Sequence, residues 1–243
     1  MRYAIVSDIH SNLEAFNIVL FELEGESPDQ VLCLGDIVGY GPDPNECITK
    51  IRETANIVIV GNHDHAAIGL TDISYFNPYA RDAIEWTMGE LSEKEKGYLK
   101  QLPFNTEITK DDLFLVHSTP KRPQNWNYIF TVEDAIENFR YFTQRICFIG
   151  HSHVPVIIKM DNSGGIEIIS EEAIIDEEHR YIINVGSVGQ PRDGNADAAY
   201  AIFDKERSTV KIKRVSYNYK KTQEKMKKAG ISDYLIDRIA LGR

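Results

Sequence analysis

Five short apolar runs alternate with helical patterns along the first 150 residues, and each run ends in a small polar motif. The runs cover residues 3–7, 31–34, 57–60, 113–116 and 146–149. Apolar runs of this length between polar loops are typical of buried strands. Strands that alternate with helices predict an α/β fold in which a mainly parallel sheet carries helices on its faces.

Capping patterns and apolar spacing predict the helices between these runs. Ser11 and Glu14 match an S-x-x-E capping box, and the apolar residues that follow predict a helix to about Glu24. Similar spacing predicts helices over residues 45–53 and 132–141.

Residues 75–102 interrupt this alternation. Apolar spacing predicts one helix there, and Ser92 with Glu95 predicts the capping box of a second. We interpret the segment as a helical insertion, which is either a lid or an ordinary packing hairpin. The hairpin is favoured, because a lid requires evidence of motion.

The second half of the chain is richer in strands. Residues 154–160 and 166–169 flank a turn and predict a hairpin. Two short helices are expected at the end of the chain. At about 150 residues per domain, the length allows one large or two small domains. Because no clean linker or repeat divides the chain, residues 1–243 are expected to form a single domain. The further predicted strands are residues 181–185, 198–203 and 210–215.

The polar motifs that follow the first five strands contain six of the seven histidines. Histidines that served only packing would not be grouped in this way. The carboxyl ends of strands in an open α/β sheet form one edge, so we expect these side chains to converge. The candidates are Asp8, His10, Asp36, Asn62, His63, His117, His151 and His153.

These candidates provide two carboxylates, one amide oxygen and four or five imidazoles, without a thiolate. Such a set suits Mn²⁺, Fe, Zn²⁺ or Ni²⁺, whereas Mg²⁺ and Ca²⁺ prefer all-oxygen shells. Seven ligands suit two ions about 3.5–4 Å apart that share a carboxylate. The resulting positive pocket favours a phosphate substrate. The scattered Cys33, Cys47 and Cys147 predict buried free thiols in a reducing compartment.

The order of the motifs resembles the signature of the calcineurin-like metallophosphoesterases, which is D-x-H, G-D, G-N-H-D/E, a lone H and G-H-x-H. The matching segments are residues 8–10, 35–36, 61–64, 117 and 150–153. The resemblance spans residues 3 to about 215. It implies a four-layer α/β (α+β) sandwich of two central mixed sheets flanked by helices.

The resemblance also implies roles for the individual residues. Asp36 would bridge two divalent ions, with Mn²⁺ the first expectation, and a hydroxide shared by the ions would attack phosphorus. His63 would protonate the leaving group, and Asp64 would orient His63. The other ligands would be Asp8, His10 and His153 for one ion, and Asn62, His117 and His151 for the other.

Two arginine positions narrow the choice of substrate. The corresponding motifs of protein Ser/Thr phosphatases and symmetrical dinucleoside tetraphosphatases are G-D-x-V-x-R-G and R-G-N-H. This chain has Tyr40 and Val60 at the two arginine positions of these motifs. A phosphoprotein phosphatase is therefore not expected. The chain is most similar to small prokaryotic phosphodiesterases, which implies a small nucleotide-type or other phosphodiester or phosphoanhydride as substrate. A phosphomonoesterase of small metabolites, a non-catalytic scaffold and a polymer nuclease remain as alternatives.

Two residues near the motifs are candidates for substrate binding. Asn12 stands near a helix N-terminus, where it would either bind a phosphate or cap the helix. Arg192 lies in a turn-rich loop that the family places near the metals. It would either clamp a phosphate, in place of the missing arginines, or pair with Asp193 as a turn residue.

Other residues near the motifs have a structural interpretation that is favoured over a functional one. His65 would touch substrate or, as we expect, lie at the surface where a loop begins. Four aromatic residues would form a base-stacking wall or pack at the core or rim, and packing is the more frequent role. They are Tyr75, Phe76, Trp126 and Tyr128.

The net charge of −10 is unevenly distributed. Residues 205–243 carry 12 Lys and Arg against 4 Asp and Glu, whereas the remainder carries 15 against 33. The acidic remainder argues against nucleic-acid binding, and the basic end is interpreted as a solvated helix face. The apolar run at the N-terminus is too short for a signal peptide, and no stretch approaches a membrane span. A soluble cytoplasmic protein with a small phosphate ester as its partner is expected.

Overall fold

The computed structural model describes all 243 residues. Twelve strands form two six-stranded sheets, and eight helices surround them. The strands are β1 Arg2–Val6, β2 Gln30–Cys33, β3 Ile57–Val58, β4 Asn105–Ile108, β5 Leu113–Val116, β6 Ile146–Ile149, β7 Val156–Met160, β8 Ile166–Ile169, β9 Glu172–Ile174, β10 Arg180–Asn184, β11 Ala198–Asp204 and β12 Thr209–Val215. The helices are α1 Leu13–Glu26, α2 Pro44–Thr54, α3 Asn62–Ala67, α4 Pro78–Glu90, α5 Glu93–Leu99, α6 Val132–Asn138, α7 Tyr219–Lys228 and α8 Asp233–Leu241.

The two sheets are both mixed. The first has the order β3-β2-β1-β11-β12-β9, and the second has the order β4-β5-β6-β10-β7-β8. Strands β1 to β3 are parallel, as are β5, β6 and β10, whereas the other neighbours are antiparallel. The prediction of one mainly parallel sheet was wrong, because the first-half strands are divided between two sheets. The pair of mixed sheets flanked by helices is confirmed.

The central strands are buried on both faces. In β1, Tyr3 and Ile5 point into the core between the sheets, where they meet Phe148 of β6. Ala4 and Val6 point the other way, into the core beneath α1 and α2. Successive side chains of a strand point to opposite faces, so a strand covered on both faces is apolar at every position. This explains why continuous apolar runs predicted the strands well.

Helix α1 begins at a different cap from the predicted one. Its N-cap is Asn12, whose Oδ1 accepts a hydrogen bond from the Ala15 N–H at 3.2 Å. Ser11 lies in the left-handed region with a φ of 53°, so it belongs to the preceding loop. The predicted capping box of Ser11 and Glu14 was therefore wrong, although the helix itself is confirmed.

Residues 75–102 contain two helices that pack against the rest of the chain. The predicted cap at Ser92 is confirmed, because its Oγ accepts from the Glu95 N–H. On α4, Ala83 packs in one apolar cluster with Leu235 of α8. Packing of this kind is what the hairpin interpretation predicts, and motion of the segment stays a separate question for experiment.

The basic C-terminal region packs partly against acidic residues of the remainder. Exposed lysines of α7, such as Lys227 and Lys228, form the solvated face that the sequence predicts. The three cysteines are buried and unpaired, as predicted. None of the helices combines the length and the apolar character needed to cross a bilayer. The ion pairs of the basic region include Lys213 with Glu26, Arg214 with Asp193 and Lys225 with Asp43.

Candidate metal centre

The predicted metal ligands meet where the carboxyl ends of strands from both sheets face one another. The loops after β1, β2 and β3 contribute from the first sheet, and the loops after β5 and β6 contribute from the second. All seven side chains are buried. Six of them form two groups in which the candidate ligand atoms lie within 4.8 Å of one another. The groups are Asp8, His10, Asp36 and His153, and Asp36, His117 and His151.

Asp36 belongs to both groups. Its Oδ2 lies 3.6 Å from His10 Nε2 in the first group and 3.3 Å from His117 Nε2 in the second. Asn62 joins the second group, because its Oδ1 lies 3.1 Å from His117 Nε2. A carboxylate between two sets of ligands has the arrangement of a two-metal site.

The two carboxylates are held in the same manner. Asp8 Oδ2 accepts from the His151 N–H at 3.0 Å, and Asp36 Oδ1 accepts from the His63 N–H at 2.8 Å. The other oxygens, Asp8 Oδ1 and Asp36 Oδ2, are buried and face imidazole nitrogens, His153 Nε2 at 3.1 Å and His117 Nε2 at 3.3 Å, but no backbone or hydroxyl donor. An unpaired buried carboxylate oxygen is costly unless it binds a cation. The donor set therefore fits divalent ions.

Backbone carbonyls orient the imidazoles. A carbonyl oxygen can only accept, so the ring nitrogen that faces it carries the hydrogen, and the other nitrogen offers its lone pair to the centre. His151 donates from Nε2 to the Trp126 carbonyl at 2.9 Å and so presents Nδ1. The other three rings donate from Nδ1, in the pairs His10 with Val38 at 3.1 Å, His117 with Leu34 at 2.9 Å and His153 with Gln190 at 2.5 Å.

The inward nitrogens are close enough to repel one another. His10 Nε2 and His153 Nε2 lie 3.1 Å apart, and both Nδ1 atoms are already committed to carbonyls. Two lone pairs at this distance are stabilised by a shared cation. This contact is a second reason why the residues fit a metal ion.

Two motif glycines allow the carboxylates to pack closely against the neighbouring loops. A Cβ at Gly61 would collide with the carboxylate and backbone nitrogen of Asp36. A Cβ at Gly150 would collide with the carboxylate of Asp8 and the hydroxyl of Ser7. The glycines of G-N-H and G-H-x-H are thus required by contacts with the two aspartates that are predicted as metal ligands.

The backbone at the centre is unusual. Twelve non-glycine residues of the chain have a positive φ, and five of them are predicted ligands. Such conformations cost on the order of 1–3 kcal/mol each and concentrate at functional sites. The five ligands are Asp8, His10, Asp36, His151 and His153, with φ of 54°, 49°, 51°, 67° and 60°.

Burial and mutual attraction determine the charges in the centre. Burial alone would lower the pKa of His117, but the adjacent Asp36 carboxylate raises that pKa to about 9. Burial would raise the pKa of Asp36, but His117 and the other imidazoles hold it well below its usual range. Burial lowers the pKa of His151 to about 3 and that of His10 well below 6.5. At neutral pH the metal-free centre therefore holds a protonated His117 beside ionised carboxylates, whereas His10 and His151 are neutral. Because metal ions bind the neutral form of imidazole, a metal ion bound at His117 would displace its proton.

His63 lies at the centre but lacks the partner that was predicted for it. Its Nδ1 is buried without a hydrogen bond, and its ring packs 4.5 Å from the Tyr40 ring. Asp64 does not orient it, because the two Asp64 oxygens accept from the Val38 and Gly61 N–H groups, each at 3.1 Å. The orienting role predicted for Asp64 was wrong, and Asp64 instead joins two loops. Burial lowers the pKa of His63 to about 4.

Asn12 is used entirely for structure. Its Oδ1 accepts from the Ala15 N–H and the Thr222 hydroxyl, and its Nδ2 donates to the Gly189 carbonyl at 2.8 Å and the Tyr217 hydroxyl at 3.0 Å. A side-chain amide has two donors and an oxygen with two lone pairs, so its capacity is filled. Contrary to the substrate-binding prediction, no polar atom of Asn12 remains for a phosphate.

Arg192 stands beside the first ligand group without a negative partner. Its guanidinium donates to Gln190 Oε1 at 2.8 Å and lies 5.6 Å from the centre of the Tyr40 ring, and its Nε is buried without a partner. Its backbone N–H donates to the His153 carbonyl at 3.3 Å. The alternative pairing with Asp193 is not observed, because that carboxylate binds another arginine.

His65 lies outside both ligand groups. It is half-buried, its Nδ1 is 2.7 Å from the Thr71 hydroxyl, and its ring packs against Phe104 and Trp126. The prediction of a surface position was therefore wrong. The sequence also carried no signal for the orienting role of the Trp126 carbonyl, since any residue supplies a carbonyl group.

Comparison with known proteins identifies the family. The family model of the calcineurin-like phosphoesterase superfamily domain matches residues 1–208. The chain belongs to this superfamily. An uncharacterised protein of Methanocaldococcus jannaschii is 40% identical over 242 residues, which are 99% of this chain and 98% of the relative. The family assignment makes the chain a metallophosphoesterase, a hydrolase of phosphoric esters.

Solved structures agree with this assignment. The crystal structure of a metallophosphoesterase from Sphaerobacter thermophilus has a TM-score of 0.87 and 39% identity, and the match covers 100% of this chain and 99% of that one. A hypothetical protein from Pyrococcus horikoshii OT3 has a TM-score of 0.78 and 21% identity, and the match covers 100% of this chain and 98% of that one. The latter similarity shows the shared fold.

Proposed function

We propose that this protein is a dinuclear metal-dependent phosphodiesterase that hydrolyses a small nucleotide-type or other phosphodiester or phosphoanhydride. The observation that carries the proposal is the membership of Asp36 in both ligand groups. Two divalent ions held there would supply an activated water as nucleophile and would neutralise the charge of the phosphate. Mn²⁺ is the first expectation, and Fe, Zn²⁺ and Ni²⁺ suit the same donors.

We assign the seven ligands to two ions. Asp36, whose Oδ1 accepts from the His63 N–H, would serve both ions. The remaining ligands are Asp8, His10 and His153 for one ion, and Asn62, His117 and His151 for the other.

Arg192 would bind a non-bridging oxygen of the phosphate. Its guanidinium is free of carboxylates, so its charge is available for a charge-assisted hydrogen bond. Tyr40 stands where related phosphatases have an arginine, and Arg192 packs against the Tyr40 ring. An arginine from a distant loop thus lies next to the position of the missing one.

His63 would donate a proton to the departing oxygen. A general acid must be protonated at the working pH, whereas burial lowers the pKa of His63 to about 4. A bound phosphate anion raises the pKa of a neighbouring imidazole, which is the direction this role requires. Because Asp64 is bonded elsewhere, the orientation of His63 rests on its packing against Tyr40.

The small number of cationic side chains at the centre favours a diester over a monoester. A monoester carries one more negative charge than a diester, whereas Tyr40 replaces the family arginine here. Arg192 contacts the loop of the first ligand group, and Arg238 lies farther out near Arg192 and Tyr40. A non-catalytic scaffold would not need a complete ligand set.

The test compares bis(p-nitrophenyl) phosphate with p-nitrophenyl phosphate after chelation and after addition of Mn²⁺. We expect turnover of both to depend on the metal, with a kcat/KM about tenfold or more higher for the diester, in line with one charged contact. A higher value for the monoester would favour a phosphomonoesterase. Full metal loading without turnover of either would contradict the proposal.

A second comparison tests His63. The His63→Ala variant should keep its metals and lose most activity toward diesters with poor leaving groups, because only those need a proton donor. Equal losses across leaving groups would contradict the general-acid role.

A further inference from the structure

A cleft of about 430 Å³ lies beside the metal centre. Asn62, His63 and His151 line both the cleft and the centre. A group bound in the cleft would therefore be attached to a phosphate at the metals. The volume lies within the range of sites for small organic ligands, which is roughly 300–1,000 Å³.

Aromatic side chains form two walls of this cleft. Tyr75 and Phe76 line it from the segment before α4, and Trp126 and Tyr128 line it from the loop after β5. The Tyr128 ring stacks on the His151 ring at 4.0 Å with an angle of 16° between the planes. The Phe130 ring stacks on the Tyr128 ring at 4.8 Å with an angle of 9°, so both faces of Tyr128 are covered and a ring in the cleft would meet its edge.

The first wall is not required by the core. The side chain of Tyr75 is 88% exposed and belongs to no apolar cluster. Phe76 packs against the edge of one cluster and lies 5.4 Å from the His63 ring. An exposed aromatic ring beside a catalytic centre is available for stacking with a ligand.

The charge of the cleft does not favour a second phosphate there. No lysine or arginine lines it, and Asp72 is its one acidic residue. Arg192, which has no carboxylate partner, is not part of the cleft lining. Amide groups of Asn77 and Asn125 and the hydroxyl of Thr71 lie among the lining groups. An uncharged heterocycle with hydrogen-bonding edges suits these walls better than a polyphosphate chain.

The geometry points to this cleft as the binding site for the nucleobase of a nucleotide ester. The base stacks against Tyr75, Phe76 and Trp126 and meets the edge of Tyr128, while the phosphate lies at the metal centre. The inference rests on the proposed function for the position of the phosphate. It adds the substrate class and the residues that select it.

The experiment measures the binding of AMP and of ribose 5-phosphate to the Mn²⁺-loaded protein by calorimetry, with chromatography to verify that neither is hydrolysed during the titration. The two probes share the sugar and the phosphate and differ in the base. Stacking of one base on aromatic side chains predicts that AMP binds about tenfold tighter or more. Equal dissociation constants in the wild-type protein would overturn the inference.

Two variants and one control localise the effect. Tyr75→Ala and Trp126→Ala should each reduce the preference for AMP by about threefold or more. Tyr79→Ala is the matched control, because Tyr79 is also an exposed tyrosine of this segment but stacks on Tyr234 and does not line the cleft. The control should keep the preference. Variants that fold and keep the full preference would place the base elsewhere and overturn the inference.

The results separate this inference from the proposed function. Turnover of bis(p-nitrophenyl) phosphate without a preference for AMP would support the phosphodiesterase and overturn the base site. A preference for AMP that both variants lose, without turnover of either aryl phosphate, would support the base site and contradict the phosphodiesterase.

Discussion

The substitution Asp36→Asn tests the shared ligand. Asparagine keeps the shape of the side chain and can still accept from the His63 N–H through its oxygen. The substitution replaces Asp36 Oδ2, which lies 3.6 Å from His10 Nε2 and 3.3 Å from His117 Nε2, by the uncharged NH₂ of an amide. Both ligand groups lose the same negative charge, so we expect both ions to bind more weakly.

The size of the effect follows from the distances in the ligand groups. A cation among ligand atoms that all lie within 4.8 Å of one another is close to the lost charge. A pair of unit charges about 4 Å apart at an effective dielectric constant of about 20 is worth about 4 kcal/mol, and the double charge of the ion makes this value a lower bound. Removal of the carboxylate charge therefore weakens each site by at least about a thousandfold, and activity should fall by at least that factor.

The assay is elemental analysis after dialysis against a fixed Mn²⁺ concentration, combined with diester hydrolysis. Asp43→Asn is the matched control, because Asp43 is a mostly buried carboxylate of the same loop that pairs with Lys225 outside the centre. The control should keep two ions, and circular dichroism verifies the fold of both variants. An Asp36→Asn protein that keeps two ions and full turnover would refute the bridging role.

Three further outcomes test other parts of the account. Chelation should lower the Tm by about 5–10 °C for each ion that was present at 100 times its Kd, because an ion that binds only the native state stabilises that state by mass action. An unchanged Tm would argue against bound ions. The pKa of His63 is about 4 in the native state, whereas an unfolded chain binds a proton at His63 already below about pH 6.5. The native state is therefore expected to lose stability as the pH falls from about 6.5 to 4. In the presence of chelator, the free energy of unfolding measured with urea should fall between pH 6.5 and pH 4 by about 3 kcal/mol less in His63→Gln than in the wild type. Equal decreases in the two proteins would contradict the burial argument. Asn12→Ala should lower the free energy of unfolding by about 1–2 kcal/mol at unchanged metal content, whereas unchanged stability with weaker phosphate binding would restore its substrate role.

The positions of the site residues could be predicted because burial of the central strands leaves a strong pattern. Strands covered on both faces, such as β1 with Tyr3 and Val6, appear as uninterrupted apolar runs, and the first polar residues after them mark the sheet edge. The two unpredicted strands, β4 and β9, lie at sheet edges. An edge strand needs fewer apolar residues, so its pattern is weaker.

The predictions that were wrong concern the hydrogen-bond partners of individual side chains. The spacing of residues in the sequence does not specify these partners. Asp64 was expected to contact its chain neighbour His63, but backbone N–H groups of two loops take both of its oxygens. Asn12 and Ser11 both suit an N-cap, and the left-handed backbone at Ser11 decides between them. That backbone conformation depends on the contacts of the folded loop and not on local propensity.

The most direct test of the two-metal centre is anomalous diffraction from crystals grown with Mn²⁺. The account predicts two peaks about 3.5–4 Å apart. One peak should lie at Asp8, His10 and His153, the other at Asn62, His117 and His151, and Asp36 should contact both. A single fully occupied peak with Asp36 on one side only, or peaks away from these residues, would contradict the account.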